Sequence, residues 1–206
     1  MQTRLTMALI VALVSATATF AQQPPPTMGH AERLALAAIP AKAGARLTVG
    51  SPSFKDGDYI PLQNTQYGRN VFPGLVWTGG PKGTRSYVVI MQGESLGGTG
   101  TSIHLTLFNV PVNVTKLDAG MATPPTGATY GPNVHGLNQP YAGPHAHTTA
   151  TQRYHLQVFA LDTVIESDPK LSFEAVESAL TGHVLASGEL VGLSAKDHGS
   201  PNRGGL

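Results

Sequence analysis

The chain has 206 residues, of which 41% are hydrophobic and only 12% charged, and it contains 24 glycines, 16 prolines and no cysteine. This composition excludes disorder as the main state, and the formal net charge of +1 argues against a nucleic-acid-binding protein, which would need a basic face. Because glycine and proline are poor in helix interiors, it indicates one loop-rich, mainly β domain that is stabilised without disulfides.

The first 21 residues have the pattern of a secretory signal peptide. Arg4 supplies a positive charge, residues 7–14 form an unbroken apolar run, and small residues lead to a cleavage site after Ala21. The apolar run is far shorter than the roughly 20 residues that a membrane-spanning helix needs. We therefore expect an exported protein, periplasmic or secreted, with no stable membrane anchor once the signal has been removed.

Residues 22–45 are predicted to form a linker that ends in a short helix. The stretch 22–27 contains three consecutive prolines, which favour an extended spacer. Residues 31–38 are rich in alanine and leucine, which are good helix formers. The main β domain is expected at 46–196, followed by a flexible tail at 197–206.

Residues 86–91 are nearly continuously apolar, a pattern typical of a strand buried on both faces. Soon afterwards, residues 93–97 read GESLG, which matches the G-x-S-x-G nucleophile elbow of serine hydrolases. Asp162 and His183 follow in the chain order that such a triad needs. The residues after 97 are glycine and threonine, which do not begin the helix that the motif requires. A hydrolase using Ser95 is therefore an alternative only.

Two further segments alternate between apolar and polar residues, as half-buried strands do. In 103–110 we expect His104 and Thr106 on one face and the apolar residues at 103, 105 and 107 on the other. In 153–161 the alternation places on one face Tyr154, Leu156, Val158 and Ala160. His104 is then either a satisfied, half-buried histidine or a hydrogen-bond donor directed at an anion in a cleft.

Several of the eight histidines lie close together in the C-terminal half of the sequence. His145 and His147 would share one side of a strand, and a zinc ion would need a further ligand from His104, His135 or Glu94. The pair lies in a stretch of loop-forming residues, where polar side chains are expected in any case, and an H-x-H pattern alone has little specificity. We therefore expect neither a metal site nor a cofactor.

A helix is indicated late in the chain. Ser172 is a good N-cap and Gly182 stands where a glycine commonly follows a helix. The spacing of a buried stripe is shown by Phe173, Val176 and Leu180. Because the strands come first and do not alternate with helices, the sequence predicts a mainly β fold: a two-sheet antiparallel β-sandwich with short C-terminal helices.

Taken in order, many short motifs of this chain resemble the phosphatidylethanolamine-binding protein family, and most closely its bacterial Raf-kinase-inhibitor-like branch. The motifs are FKDG at 54–57, IP at 60–61, PGLVW at 73–77, PKGTRSY at 81–87, His104 in its strand, FNVP at 108–111, YAGP at 141–144, RY at 153–154, FALD at 159–162 and GHVL at 182–185. The resemblance implies a fold of two antiparallel sheets with short C-terminal helices, in agreement with the patterns above.

The resemblance also implies a small pocket for an anion such as phosphate or a phospholipid head group. In the family this pocket is built from an Asp-Pro-Asp-Ala-Pro loop, a His-Trp pair, a Gly-Pro-x-Pro-Pro loop and a His-Arg-Tyr segment. The positions that keep this pattern are His104, Gly143, Pro144 and Tyr154. The positions that depart from it are Glu94 and Ser95 in the acidic loop, His147 in place of a proline and Gln152 in place of a histidine.

These departures change the chemistry expected of the pocket. Gln152 keeps hydrogen-bonding capacity but cannot carry a positive charge, and the loss of aspartates reduces the repulsion of an anion. We expect all eight positions to border a pocket with altered anion preference, in an exported, non-enzymatic binding protein whose partners are a small anion or phospholipid head group and, in addition, a protein. The alternatives are the serine hydrolase and a protein-interaction module with a vestigial pocket.

Overall fold

The computed structural model describes residues 29–98, 100–168 and 170–197. The expected signal peptide at 1–21, the prolines of the spacer and the tail beyond 197 lie outside the described residues. Among the described residues, no helix is both long and apolar enough to cross a membrane.

In chain order the elements are β1 His30–Ala31, α1 Ala35–Ala38, β2 Ala45–Arg46, β3 Val49–Gly50, a 3-10 turn Leu62–Asn64, β4 Leu75–Trp77, β5 Ser86–Glu94, β6 Thr101–Pro111, β7 Lys116–Leu117, β8 Thr129–Tyr130, β9 Gln152–Leu161, α2 Phe173–Leu180 and β10 Val184–Ser194.

Two sheets form the molecule, as the sequence predicts. The larger has seven strands in the order β1-β6-β5-β9-β10-β2, with β8 also paired to β6, and the smaller has three in the order β3-β4-β7. The named strand pairs are antiparallel except β10 with β2. The long strands β5, β6, β9 and β10 lie side by side, so the ends of these strands position the candidate site.

The larger sheet buries both of its faces. One face packs against the smaller sheet and carries Tyr87, Val89 and Met91 of β5, whereas the other packs against the helices and carries Val88 and Ile90. We call these the sheet-side face and the helix-side face. The prediction of a strand buried on both faces is confirmed, and so is the shared face of β9, which the sheet-side cluster contains as Tyr154, Leu156, Val158 and Ala160.

Helix α2 begins and ends where the sequence indicates. The Ser172 side chain accepts a hydrogen bond from the Ala175 amide at 3.2 Å, and Gly182 has a φ of 77°. Its buried residues are Phe173, Val176 and Leu180, as predicted. The following strand, β10, was not predicted, because two glycines interrupt its apolar pattern. Gly192 is needed there because a Cβ would lie 2.5 Å from Ile60 Cγ1 and 2.8 Å from Phe54 Cε2.

The segment before residue 46 is part of the packed domain. β1 pairs with β6, and helix α1 occupies only Ala35–Ala38 of the stretch expected to be helical. Leu34, at the N-cap position, makes no side-chain cap, and the first helical amides instead reach the larger sheet. The Ala35 amide donates to Gln92 Oε1 at 2.8 Å and the Leu36 amide to Gln157 Oε1 at 2.6 Å. Two buried glutamine side chains therefore cap this helix from a distance.

Asn109 fixes the loop that follows β9. Its backbone is left-handed, with a φ of 58°, and its side chain exchanges two hydrogen bonds with the Ile165 backbone, at 2.8 and 2.9 Å. We expect Asn109→Ala to lower the free energy of unfolding by about 2–3 kcal/mol, because two buried backbone groups lose their partners and the left-handed strain is added. Urea denaturation measures this change.

The matched control is Asn138→Ala, since Asn138 is exposed and has a φ of 51°. That substitution is expected to lower the free energy of unfolding by only about 1 kcal/mol, from backbone strain alone. Equal losses in the two variants would show that the side-chain bonds of Asn109 add nothing to stability.

Candidate functional site

A polar pair, His104 and Tyr154, lies on the sheet-side face near one end of the larger sheet. In the pairing of β5 with β6, Met91 faces Leu105 and Gln92 faces Ile103, which leaves His104 as an extra residue. A bulge of this kind redirects side chains locally. His104 therefore meets Tyr154 edge to face, with ring centroids 5.1 Å apart.

Because of the bulge, the side chains of residues 103–110 do not alternate between the two faces as expected. Ile103 lies in the helix-side cluster, whereas Leu105 and Leu107 lie in the sheet-side cluster with the ring of Tyr154. The expected single apolar face is therefore wrong, because the extra residue shifts the strand register between positions 103 and 105.

The hydrogen bonds of His104 determine its tautomer. Nδ1 lies 2.8 Å from the Ala142 carbonyl oxygen, which only accepts, so Nδ1 carries the hydrogen. In the neutral ring Nε2 is then an acceptor, and the Ser102 hydroxyl donates to it at 3.0 Å. His104 is 5% exposed, and burial lowers its pKa to about 4. At neutral pH the imidazole of His104 is therefore uncharged.

Tyr154 is also neutral and buried. Burial raises its pKa to about 12, and its hydroxyl makes a long hydrogen bond of 3.5 Å to Gln152 Oε1. Gln152 in turn donates from Nε2 to the Glu94 carbonyl oxygen at 3.3 Å. Gln152 thus lies beside the His104–Tyr154 pair.

Gly93 forms the wall of the site against which Tyr154 packs. It pairs with Tyr154 on β9 and with Ser102 on β6, and a Cβ at this position would lie 2.7 Å from Tyr154 Cε1 and 3.1 Å from Ser102 Oγ. Any larger residue at position 93 would therefore overlap the tyrosine ring.

We expect Gly93→Ala to lower the free energy of unfolding by about 1–3 kcal/mol, because the added methyl group overlaps a buried ring that contacts His104. Chemical denaturation and the NMR signals of Tyr154 and His104 measure the change. Gly79→Ala is the control, since a Cβ there meets no atom within 4 Å. An unchanged stability and unchanged Tyr154 signals in Gly93→Ala would contradict the packing described here.

Gly143 and Pro144 form the loop that closes over His104. The Gly143 amide donates to Asn70 Oδ1 at 2.7 Å, and the Gln66 side chain and amide donate to the carbonyl oxygens of Gly143 and Pro144 at 2.8 and 3.0 Å. A Cβ on Gly143 would lie 2.6 Å from the Asn64 carbonyl oxygen. The loop is thereby held by the segment 64–70, and its neighbour Ala142 supplies the acceptor for His104.

Glu94 points away from this site, contrary to expectation. Because side chains alternate along a strand, Glu94 lies on the helix-side face, opposite to Gly93. There its Oε1 is 3.0 Å from His155 Nε2, while His155 Nδ1 is 2.8 Å from Glu189 Oε2. We call Glu94, His155 and Glu189 the carboxylate–imidazole triad. The sequence indicated neither His155 nor Glu189, since their contact joins neighbouring strands far apart in the chain.

The triad makes stability depend on pH through Glu189. Its hydrogen bond with His155 holds the pKa of the Glu189 carboxyl below the ordinary 4.5. We expect Glu189→Gln to lower the free energy of unfolding at pH 7 by about 1 kcal/mol, a modest value because the carboxylate is partly exposed.

Because the pKa of Glu189 is lower in the folded state, the ionised carboxylate stabilises the fold above pH 4.5. This contribution disappears as the pH falls through the folded-state pKa of Glu189. The difference between wild type and Glu189→Gln is therefore expected to close on acidification, when urea unfolding is measured over this range. Glu166→Gln, at an exposed position, serves as the control. A difference that is constant from pH 7 to acid would contradict the assignment.

Ser95 has no catalytic surroundings. It lies in the turn between β5 and β6, where its amide donates to the Gly100 carbonyl at 3.2 Å. Asp162 and His183 do form a hydrogen bond, at 2.7 Å, but they lie beyond the opposite end of β9. The ten residues of that strand separate them from Ser95 by about 30 Å at 3.3 Å per residue. The serine-hydrolase alternative is therefore wrong, because Ser95, Asp162 and His183 do not form a triad.

His147 lies at the surface, beside the loop rather than in the site. Its ring is 4.5 Å from that of the likewise exposed His145, which is 4.9 Å from Tyr67. Tyr67 donates to the Ala146 carbonyl at 2.8 Å, so this aromatic group is anchored to the loop over His104. Within the described part of the chain, no three His, Asp or Glu side chains are grouped so that they could hold a metal ion.

The sequence and the fold of this chain are similar to those of known proteins. A family model described as phosphatidylethanolamine-binding protein matches residues 50–195, which is more than half of the chain. The chain belongs to the phosphatidylethanolamine-binding protein family. A curated relative, a UPF0098 protein of Methanothermobacter thermautotrophicus, is 32% identical over 145 residues, which cover 68% of this chain and 93% of the relative. LppC of Mycobacterium tuberculosis, described as a lipoprotein, is 27% identical over 157 residues, covering 76% of each chain.

Two solved structures of the family have the same fold. CT736 of Chlamydia trachomatis, a phosphatidylethanolamine-binding protein homologue, superposes with a TM-score of 0.67 at 28% identity and covers 74% of this chain and 99% of its own. YbcL of Escherichia coli, a member of the family, gives a TM-score of 0.67 at 27% identity, with 73% and 99% covered. The predicted family and fold class are thus confirmed.

Proposed function

We propose that this protein is an exported, non-enzymatic binding protein that holds a small anion or a phospholipid head group at the His104–Tyr154 pair. Membership of the phosphatidylethanolamine-binding protein family supports a ligand-binding role. Export is supported by the signal-peptide pattern of residues 1–21 and by similarity to LppC, a protein described as a lipoprotein.

The observation that carries the proposal is the buried, neutral His104 beside a buried tyrosine. Two titratable side chains with perturbed pKa values that meet at the end of a sheet are candidates for a functional site. Gly93 opposes both Ser102 and Tyr154, and the Gly143 loop lies next to them. Small residues and convergent hydroxyl, imidazole and amide groups are what a compact polar ligand requires.

The non-enzymatic part of the proposal follows from the same geometry. The hydroxyl of Ser102 contacts the imidazole of His104, but the other ring nitrogen is bonded to a backbone carbonyl rather than to a carboxylate. A nucleophilic serine needs a base that can take up its proton, and a ring whose pKa lies near 4 is a weak base. Binding is therefore better supported than covalent catalysis.

The test is an NMR titration of the purified protein with inorganic phosphate and with phosphoethanolamine, following the ring signals of His104. We expect these signals and those of Tyr154 to move in a saturable way, while the signals of the distant His183 stay constant. Absence of any change at high millimolar concentrations of both ligands would contradict the binding function and favour a protein-interaction module with a vestigial pocket.

Export is tested separately by expressing the full chain in a bacterium and fractionating the cells. We expect a periplasmic or secreted protein whose N-terminus, read by mass spectrometry, is Gln22. A full-length chain retained in the cytoplasm would contradict this part of the proposal.

A further inference from the structure

The hydrogen bonds of His104 restrict which ligand the site can take. Nδ1 is committed as a donor to the Ala142 carbonyl at 2.8 Å. Nε2 therefore offers a lone pair at the site, and this lone pair presently accepts from the Ser102 hydroxyl at 3.0 Å. A lone pair repels an anionic oxygen and attracts a hydroxyl group, so a ligand that approaches Nε2 has to bring a hydrogen with it.

The surroundings of His104 keep a second proton off the ring. Burial is the largest cause of its lowered pKa of about 4, and the backbone of Ala142 and Gly143 opposes this only in part. The titratable groups that act on it from neighbouring elements are His30 on β1 and His135 in the loop before Gly136, and both disfavour the charged ring. On β9, the facing group is the neutral hydroxyl of Tyr154. Glu94, the nearby carboxylate on β5, is bonded to His155 on the opposite face.

We propose that the pocket selects phosphate monoesters or inorganic phosphate over phosphate diesters, because the ligand must share a proton with His104 Nε2. This inference rests on the binding function proposed above. A monoanionic monoester has a P–O–H group that can donate to Nε2, whereas a diester has none. A dianionic monoester binds only together with one proton from solvent, which then lies between the phosphate oxygen and Nε2.

Ser102 and Tyr154 are placed to accommodate such a ligand. The Ser102 hydroxyl has a second acceptor, the Gly93 carbonyl oxygen at 3.4 Å, so it can rotate away from Nε2 when the ligand arrives. The Tyr154 hydroxyl stays protonated at neutral pH, and it can exchange its present, long bond of 3.5 Å to Gln152 for one to a second phosphate oxygen. The site then satisfies an oxyacid without any fixed positive charge from Ser102, His104, Tyr154 or Gln152.

Isothermal titration calorimetry with the full protein tests the proposal. The ligands are phosphoethanolamine, a monoester, and glycerophosphoethanolamine, a diester. We expect the monoester to bind at least about tenfold more tightly at pH 6, because only it can donate to Nε2. Above the second phosphate pKa of about 6, its affinity is expected to fall tenfold for each pH unit.

The number of protons that the complex takes up when the monoester binds is measured by calorimetry at pH 8, in two buffers with different ionisation enthalpies. We expect binding of the monoester to take up one proton in the wild type and in His183→Phe, a control variant far from the site. His104→Phe keeps a ring but offers the ligand no acceptor, and it is expected to lose both the tight binding and the uptake. Equal affinities for monoester and diester, or binding at pH 8 without proton uptake, would overturn the inference while leaving the binding function intact. No binding of either ligand at any pH would overturn both.

Discussion

Replacing Gln92 by leucine is expected to lower the free energy of unfolding by about 3 kcal/mol, because one buried side chain here satisfies several groups at once. Gln92 is fully buried. Its oxygen accepts from the Ala35 amide at 2.8 Å and from Gln157 Nε2 at 2.9 Å, while its nitrogen donates to Thr101 Oγ1 at 2.7 Å and to the Arg33 carbonyl at 3.1 Å. Leucine leaves these partners buried without a counterpart.

Urea unfolding of Gln92→Leu, Gln157→Leu and the double variant measures this network. The two single losses are expected not to add, because both glutamines share one hydrogen bond and cap the same helix. Gln63→Leu, at an exposed position, is the control and is expected to change stability by less than about 0.5 kcal/mol. A Gln92→Leu variant as stable as this control would show that the glutamines do not hold helix α1 to the sheet.

Replacing His104 by phenylalanine is expected to abolish phosphate binding and to lower the free energy of unfolding at pH 7 by about 2 kcal/mol. Phenylalanine keeps a ring against Tyr154 but leaves the Ala142 carbonyl and the Ser102 hydroxyl without their present partner. The same calorimetric titration and urea unfolding measure both effects. His183→Phe, at a half-exposed position far along the sheet, is the control and is expected to keep full binding.

The stability difference between wild type and His104→Phe is expected to shrink in acid. The folded-state pKa of His104, about 4, lies below its ordinary value of 6.5, so between these values the unfolded chain binds a proton that the folded chain does not. Wild-type stability therefore falls on acidification through this range, and the variant lacks this loss. A difference that does not change between pH 7 and 4 would contradict the buried, neutral state of His104.

The elements that the sequence predicted are those specified by local pattern. The apolar run at 86–91, the alternation of β9 and the cap and stripe of α2 each involve residues a few positions apart, and each is found as expected. Strand β10 was missed because its glycines are required by partners in other segments, such as Phe54 and Ile60. Those contacts exist only once the sheets have packed.

The candidate site shows the same division. His104, Tyr154, Gln152 and the Gly143 loop lie close together, while their role in binding stays a prediction. Glu94 does not, because a strand sends neighbouring residues to opposite faces, and the sequence alone did not determine the register of the loop. Ser102 was overlooked, although its spacing of two residues from His104 in a strand was a sign that the two side chains could share a face.

An NMR pH titration of His104 with and without phosphoethanolamine tests most directly whether a buried, neutral histidine binds phosphate in this protein. In the free protein we expect its pKa to be about 4, with the Nδ1–H tautomer maintained above this value. With saturating ligand we expect the pKa to rise above about 5, because the bound phosphate and Nε2 share a proton that the free ring holds only below about 4. A His104 that titrates near 6.5 in the free protein, or whose pKa does not respond to the ligand, would contradict a buried histidine that binds phosphate.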